Sequence, residues 1–262
     1  MAPILDLLDT HCHLDATEFD ADRDVVMAAA VAAGVATIVV PAVSVAGFES
    51  TAAMAQRYPG CVCAFGLHPI YVAQHRAEHM QLLRRRLEQG GAVAVGEIGL
   101  DGFVSGLDMA RQEELFAEQL KIAADFDLPV LLHIRRAQDL VLKHLRRIRV
   151  RGGIAHAFNG SRQQADEFMR LGFLLGFGGA MTFDRALRIR QLAQELPLES
   201  IVLETDAPDI APSWIYRQRN SPTELPRIAG VLAELRQQPL AQVAAATSAN
   251  ARRLLQLPSP PG

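Results

Sequence analysis

Residues 92–101 read AVAVGEIGLD, and this stretch decides the fold. Residues 92–96 form a short apolar run of strand character that ends on a carboxylate, Glu97. An unpaired charge at the end of a buried strand is expensive, so Glu97 requires a partner, either a salt bridge or a metal ion. Working outward, the same pattern recurs. Residues 7–11 run into His11, 129–133 into His133, 153–155 into His156, and 201–205 into Asp206. Residues 35–41, 62–67 and 173–178 supply three further apolar runs. Between the runs lie helical patterns over 24–33, 49–57, 78–89, 109–126, 137–149, 163–171 and 185–196; two more, 225–236 and 240–255, follow the last run. Eight apolar runs alternating with helices predict parallel βαβ units. With that number, closure into an α/β (β/α)8 TIM barrel is expected rather than an open sheet. A typical barrel takes about 250 residues. The expectation is one barrel domain over 1–257 and a flexible tail, PSPPG, over 258–262.

Composition narrows the class. The chain has 262 residues and a net charge of −3, so no global basic field draws it to nucleic acid or membrane, and an anionic substrate must be held by local cations. Three cysteines, Cys12, Cys61 and Cys63, argue against a disulfide framework. Cys61 and Cys63 read as buried strand residues. The N-terminus carries no basic leader and no run approaches the ~20 apolar residues of a membrane helix. A cytoplasmic monomer that does not engage membranes is expected.

The histidines point to chemistry. Five of eight, His11, His13, His68, His133 and His156, sit at the ends of strand-like runs, and strand C-termini converge on the active site of a barrel. His11 and His13 form a His-x-His pair; residues i and i+2 of a strand share a face, so both imidazoles can serve one ion. Alone the pair is a weak signal, and two loop histidines would read the same. His11, His13, Glu97, His133, His156 and Asp206 together exceed the needs of one tetrahedral ion. They suit two ions about 3.5–4 Å apart, bridged by a carboxylate and a water.

With these residues in place, the sequence resembles the TatD-related DNase family of metal-dependent hydrolases. The resemblance rests on DTHCHLD (9–15), GLHP (66–69), GEIGLD (96–101), RQEELFAEQLKIA (111–123), LPVLLHIRRA (128–137), AHAFNGS (155–161) and LETDAP (203–208), and spans nearly the whole chain. It implies that His11 and His13 bind one metal, that Glu97 bridges, that His133 and His156 bind the second, and that Asp206 is a ligand and proton acceptor. It also implies divalent-metal-dependent nuclease activity, often at DNA ends. The chain departs from the family in Ile70, in Gly102 before Phe103, and in Asn220-Ser221-Pro222, all in segments expected on the substrate side.

The expected function is therefore a phosphodiesterase or exodeoxyribonuclease acting on single-stranded nucleic acid ends through a binuclear site holding Zn, Mn, Mg or Co. Asp206 is the expected general base. His68, Arg135, Asn159 and Trp214 are candidate substrate contacts, with Tyr216, Arg217 and Arg219 beside Trp214; Asp101 is a candidate for orienting a ligand. Backbone N–H groups at 159–161 could hold an anion. His75 and His79 read as a solvated helical pair. The main rival is hydrolysis of a carbonyl ester or amide, for example an aminoacyl ester on RNA. Glu97, where many cyclic-amide hydrolases bridge with a modified lysine, weighs against the amide branch. A catalytically silent metal-binding protein is the second rival, and the complete ligand set weighs against it.

Overall fold

The computed structural model describes residues 5–258. The tail expected at 258–262 lies, apart from Pro258, outside the described residues. Eight strands pair in parallel in sequence order: β1 (Leu7–Asp9), β2 (Val35–Pro41), β3 (Cys61–Phe65), β4 (Ala92–Asp101), β5 (Val130–Arg135), β6 (Gly153–Ala155), β7 (Phe173–Phe177) and β8 (Ile201–Leu203). The sheet curls until its edges meet, where the Thr10 amide and hydroxyl both donate to the Leu203 carbonyl (3.1 Å each). Seven helices follow strands one to seven: α1 (Arg23–Ala32), α2 (Phe48–Arg57), α3 (Glu78–Glu88), α4 (Met109–Asp125), α5 (Gln138–Arg147), α6 (Arg162–Arg170) and α7 (Leu187–Glu195). After β8 come α8 (Leu225–Arg236) and α9 (Leu240–Leu255). The (β/α)8 barrel is as the sequence predicts.

Two packed layers explain the strand sequences. Inside the barrel, each strand contributes one side chain to a single cluster: Leu8, Val39, Ala64, Ala94, Leu131, Ile154, Leu174 and Val202. Ala251 and Leu255 of α9 join this cluster, and Ser248 Oγ accepts from the Leu8 amide (3.1 Å), so α9 closes the N-terminal mouth. Between strands and helices lies the larger layer, which includes Phe65, Phe116, Phe168 and Phe177. Strands buried on both faces read as continuous apolar runs, which is why the period-two signal is absent from them. Cys61 and Cys63 are buried on β3, as expected.

Three of the boundaries that differ from the sequence reading bear on the site. The first strand ends at Asp9, not at His11, because the ladder to β2 breaks there: Thr10 N donates to Leu203 O (3.1 Å) and His11 N to Asp9 Oδ1 (3.2 Å), and only Cys12 N returns to β2, at Val39 O (3.1 Å). β4 runs on through Glu97 to Asp101, and β5 through His133 to Arg135. The β4–β5 register slips between Val95 and Ile98, where two residues of β4, Gly96 and Glu97, oppose one of β5, Leu131. A bulge of this kind re-aims side chains.

Candidate metal centre

The inward cluster predicts which residues reach the C-terminal mouth. Side chains two apart on a strand share a face, so Leu131 is followed inward by His133, Ile154 by His156 and Val202 by Glu204. Glu204 was not among the residues singled out from the sequence. Its phase with Val202 is the signal that would have found it. It is fully buried, and one of its oxygens accepts from the Ala157 amide. Gly176 of β7 makes room for it: a Cβ there would sit 2.2 Å from Glu204 Oε2.

Glu97 is the hub. Its Oε2 lies 3.1 Å from His11 Nε2 and 3.5 Å from His13 Nε2. Its Oε1 lies 3.1 Å from His68 Nε2, 3.1 Å from His133 Nδ1 and 3.4 Å from His156 Nε2. Each carboxylate oxygen thus faces its own set of imidazoles. Asp206 Oδ1 completes the first set, 3.7 Å from His11 Nε2 and 3.8 Å from His13 Nε2. Asp206 follows β8 with φ +57°, its amide donating to the His11 carbonyl (2.8 Å). His11 and His13 meet edge to face at 5.0 Å, and His11 stacks on His156 at 4.0 Å. His-x-His therefore converges as predicted, through a turn beyond the strand rather than along it.

Two carboxylates brace the imidazoles from behind. Asp101 Oδ2 lies 2.9 Å from His133 Nε2, while Asp101 Oδ1 accepts from the amides of Phe103 (2.8 Å) and Val104 (2.9 Å). Glu204 Oε1 lies 3.4 Å from His156 Nδ1. The sequence reading placed Asp101 in this role and did not reach Glu204. His75, read as solvated, is buried before α3, and its Nε2 lies 2.9 Å from the His68 carbonyl, supporting that segment.

The charges are strongly coupled. Burial would raise Glu97, but the His68, His11 and His156 charges outweigh it and hold the carboxyl well below its ordinary value. Burial and the neighbouring His156 push His11 down to about 4. Burial also opposes a charge on His13 and His156, yet the Glu97 bond lifts His13 to about 9, and the Asp206 and Glu97 charges lift His156 to about 10. Burial raises Asp206 to about 6 against the pull of His156 and His13.

The donors fit divalent ions. Bonds of about 2.0–2.2 Å place the ligand atoms of a tetrahedral ion roughly 3.3–3.6 Å apart, and the spacings around Glu97 run from 3.1 to 3.8 Å. Three groups offer atoms within 4.8 Å of one another: His11, Glu97 and His156; His11, His13 and Asp206; His68, Glu97 and His133. His68, read from the sequence as a substrate contact, thus falls among the potential ligands.

A family model described as TatD related DNase matches residues 8–256. The chain belongs to the TatD-related DNase family. It is 41% identical over 254 residues to the uncharacterized metal-dependent hydrolase YjjV of Escherichia coli (strain K12), covering 96% of this chain and 98% of that relative. It is 37% identical over 256 residues to a protein named 3'-5' ssDNA/RNA exonuclease TatD from Cronobacter sakazakii, covering 95% of this chain and 97% of that one. The crystal structure of the TatD homologue YjjV from Escherichia coli K12 superposes with a TM-score of 0.94 at 40% identity, covering 98% of this chain and 100% of that one. The chain is accordingly a metal-dependent hydrolase of the TatD family.

Against that TatD frame, the residues expected to touch substrate divide. Arg135 is exposed at the end of β5, its guanidinium 3.7 Å from the Phe103 ring centre; Arg136 lies 4.6 Å from the same ring. Asn159 is exposed, but Oδ1 accepts from Arg188 (3.0 Å) and its carbonyl from Gln138 (2.8 Å). Of the amides at 159–161, that of Ser161 is taken: Ser161 and Gln164 cap α6 reciprocally, and Gln164 Oε1 accepts from the Ser161 amide (2.9 Å). Trp214 is half-buried, donating to Glu224 (2.6 Å) beneath Arg227. Arg219 is bound to Asp22 (2.6 Å). Asn220, in the segment that departs from the family, is buried and ties Thr205 O to Asp209 O (2.8 and 2.9 Å).

Proposed function

We propose that this TatD-family chain is a phosphodiesterase that shortens single-stranded DNA or RNA from an end, using two divalent ions. The observation that carries the reading is the division of Glu97, with Oε2 turned to His11 and His13 and Oε1 to His68, His133 and His156. One carboxylate facing two donor sets is what a bridged pair of ions requires. The exonuclease name of the Cronobacter sakazakii relative supports the substrate class.

His11, His13 and Asp206 would hold one ion, His133 and His156 the other, with Glu97 between them. Bound divalent ions lower the pKa of water and neutralise charge on a phosphate. The chain's own residues do the rest. Asp206 accepts the proton of the attacking water, the work of a positioned general base. Asp101 and Glu204 fix the His133 and His156 rings. Arg135, stacked on Phe103 and exposed, is placed to pair with phosphate oxygens through its planar fork.

The test is hydrolysis of an end-labelled single-stranded oligonucleotide, of bis-p-nitrophenyl phosphate and of model esters, with and without chelator. Stepwise shortening that chelator abolishes is expected. Internal cleavage, or ester hydrolysis with the oligonucleotide left intact, would overturn the proposal and favour the carbonyl-hydrolase alternative.

A further inference from the structure

Large apolar side chains are not left exposed at random around this barrel. Among the described residues, Val25 and Val31 are exposed on α1, whereas Ile70, Phe103, Val104, Leu187, Ile210 and Tyr216 lie on segments that follow strand C-termini. Two of these, Ile210 and Tyr216, line one hollow, and exposed apolar side chains gathered at one place mark a binding surface. This hollow lies between the segments after β7 and β8, a cleft of about 750 Å³ lined by Phe183, Arg185, Asp209, Tyr216 and Arg217. That volume falls within the ~300–1,000 Å³ of small-ligand pockets. Ala180, Ile189 and Ile210 line both this cleft and a narrow crevice that ends on Glu204 and Asp206. The hollow therefore opens beside the metal centre.

Its chemistry is aromatic and cationic. Phe183 and Tyr216 meet edge to face at 5.6 Å with planes at 81°, which uses one face of one ring, and Arg185 and Arg217 lie over the Phe183 and Tyr216 rings respectively. Tyr216 is 52% exposed. The Arg185 guanidinium lies 5.6 Å from the Phe183 ring centre and that of Arg217 5.2 Å from Tyr216. Neighbouring arginines are committed elsewhere, Arg190 to Asp184 and Arg219 to Asp22. Among the described residues, Arg185 and Arg217 form no ion pair, and Asp209 is the one acidic residue lining the cleft. The nearby Trp214 is spent on Glu224 and Arg227.

We infer that this cleft is a nucleobase subsite, in which Phe183 and Tyr216 take the face of an unpaired base beside the scissile bond, and Arg185 and Arg217 take the adjoining phosphate. The inference rests on the nuclease reading above and deepens it. Rings with open faces bind any base by stacking, and guanidiniums without carboxylate partners attract the backbone. A base must leave its duplex to lie against a ring, so the subsite selects single strands.

The experiment is fluorescence anisotropy with metal-loaded protein and a fluorescein-labelled oligothymidylate whose phosphorothioate linkages slow turnover. Tyr216→Leu and Phe183→Leu should each raise Kd about fivefold to a hundredfold, the range of one base–aromatic stack. Tyr216→Phe, which keeps the ring, should bind like the wild type. Arg217→Ala should raise Kd and flatten its salt dependence. With wild-type protein, an abasic residue moved along the strand should weaken binding at one position, and Tyr216→Leu should erase that difference. Binding within twofold for both leucine variants, or for every abasic position, overturns the subsite, as does failure of the wild type to bind any oligonucleotide. Normal ring-dependent binding without cleavage of the natural phosphodiester strand overturns the nuclease reading alone.

Discussion

Glu204 Oε1 lies 3.4 Å from His156 Nδ1, on the side of the ring away from Glu97. A carboxylate behind a ligating imidazole fixes its orientation and strengthens it as a donor, and losing such a partner typically costs about 10–100-fold in metal affinity or activity. Glu204 Oε2 is buried without a hydrogen-bond partner, so the carboxylate depends on its other oxygen and on nearby positive charge. Glu204→Gln should weaken metal binding by that factor while the fold is kept. Titration with a competing chelator measures it; affinity within twofold of the wild type would show that Glu204 does not position His156.

Metal content tests the division of Glu97. Protein reconstituted with Zn or Mn should hold close to two ions per chain by elemental analysis, and the His133→Ala/His156→Ala double variant about one. A single ion per wild-type chain at saturating metal would sink the bridged pair.

The proposed function gives Asp206 two roles, ligand and base. Asp206→Asn keeps an oxygen donor but cannot accept a proton, so turnover should fall about 10²–10⁴-fold at matched metal occupancy. Near-normal turnover of the loaded variant would remove the base assignment.

Trp214 separates a structural side chain from a substrate contact. Its indole donates to Glu224 at 2.6 Å and packs under Arg227 at 4.0 Å. Trp214→Phe should cost about 1 kcal/mol of stability through the lost hydrogen bond, read as a lower Tm, and leave KM for a single-stranded oligonucleotide within twofold. A large rise in KM at unchanged Tm would return Trp214 to the substrate side.

The inner layer of the barrel predicts a different behaviour. Leu131 is fully buried, the second residue of β5 and two residues before His133. Leu131→Ala should cost about 2–5 kcal/mol, as core truncations do, measured by urea unfolding. A cost under 1 kcal/mol would contradict the dense packing of this layer.

The sequence by itself determined the barrel. Apolar runs must be buried on both faces, helical patterns between them must cross over to make the strands parallel, and eight such units close. It also made most of the candidate centre legible, because His133, His156, Glu97 and Asp206 each end an apolar run, and a costly polar group in that place calls for a partner. Tertiary structure alone decided the rest. Glu204 sits inside a strand-end motif and reads as an ordinary residue until Val202 fixes which face is inward. His68 reads as a strand-end substrate contact until β3 and β4 bring it within 3.1 Å of Glu97. Trp214 and Arg219 look free in the sequence because Glu224, Arg227 and Asp22, which occupy them, are partners in space. Periodicity is a local property, set by the backbone over a few residues. Pairing between distant side chains depends on how the closed barrel aims them, and one sequence carries no record of that aim.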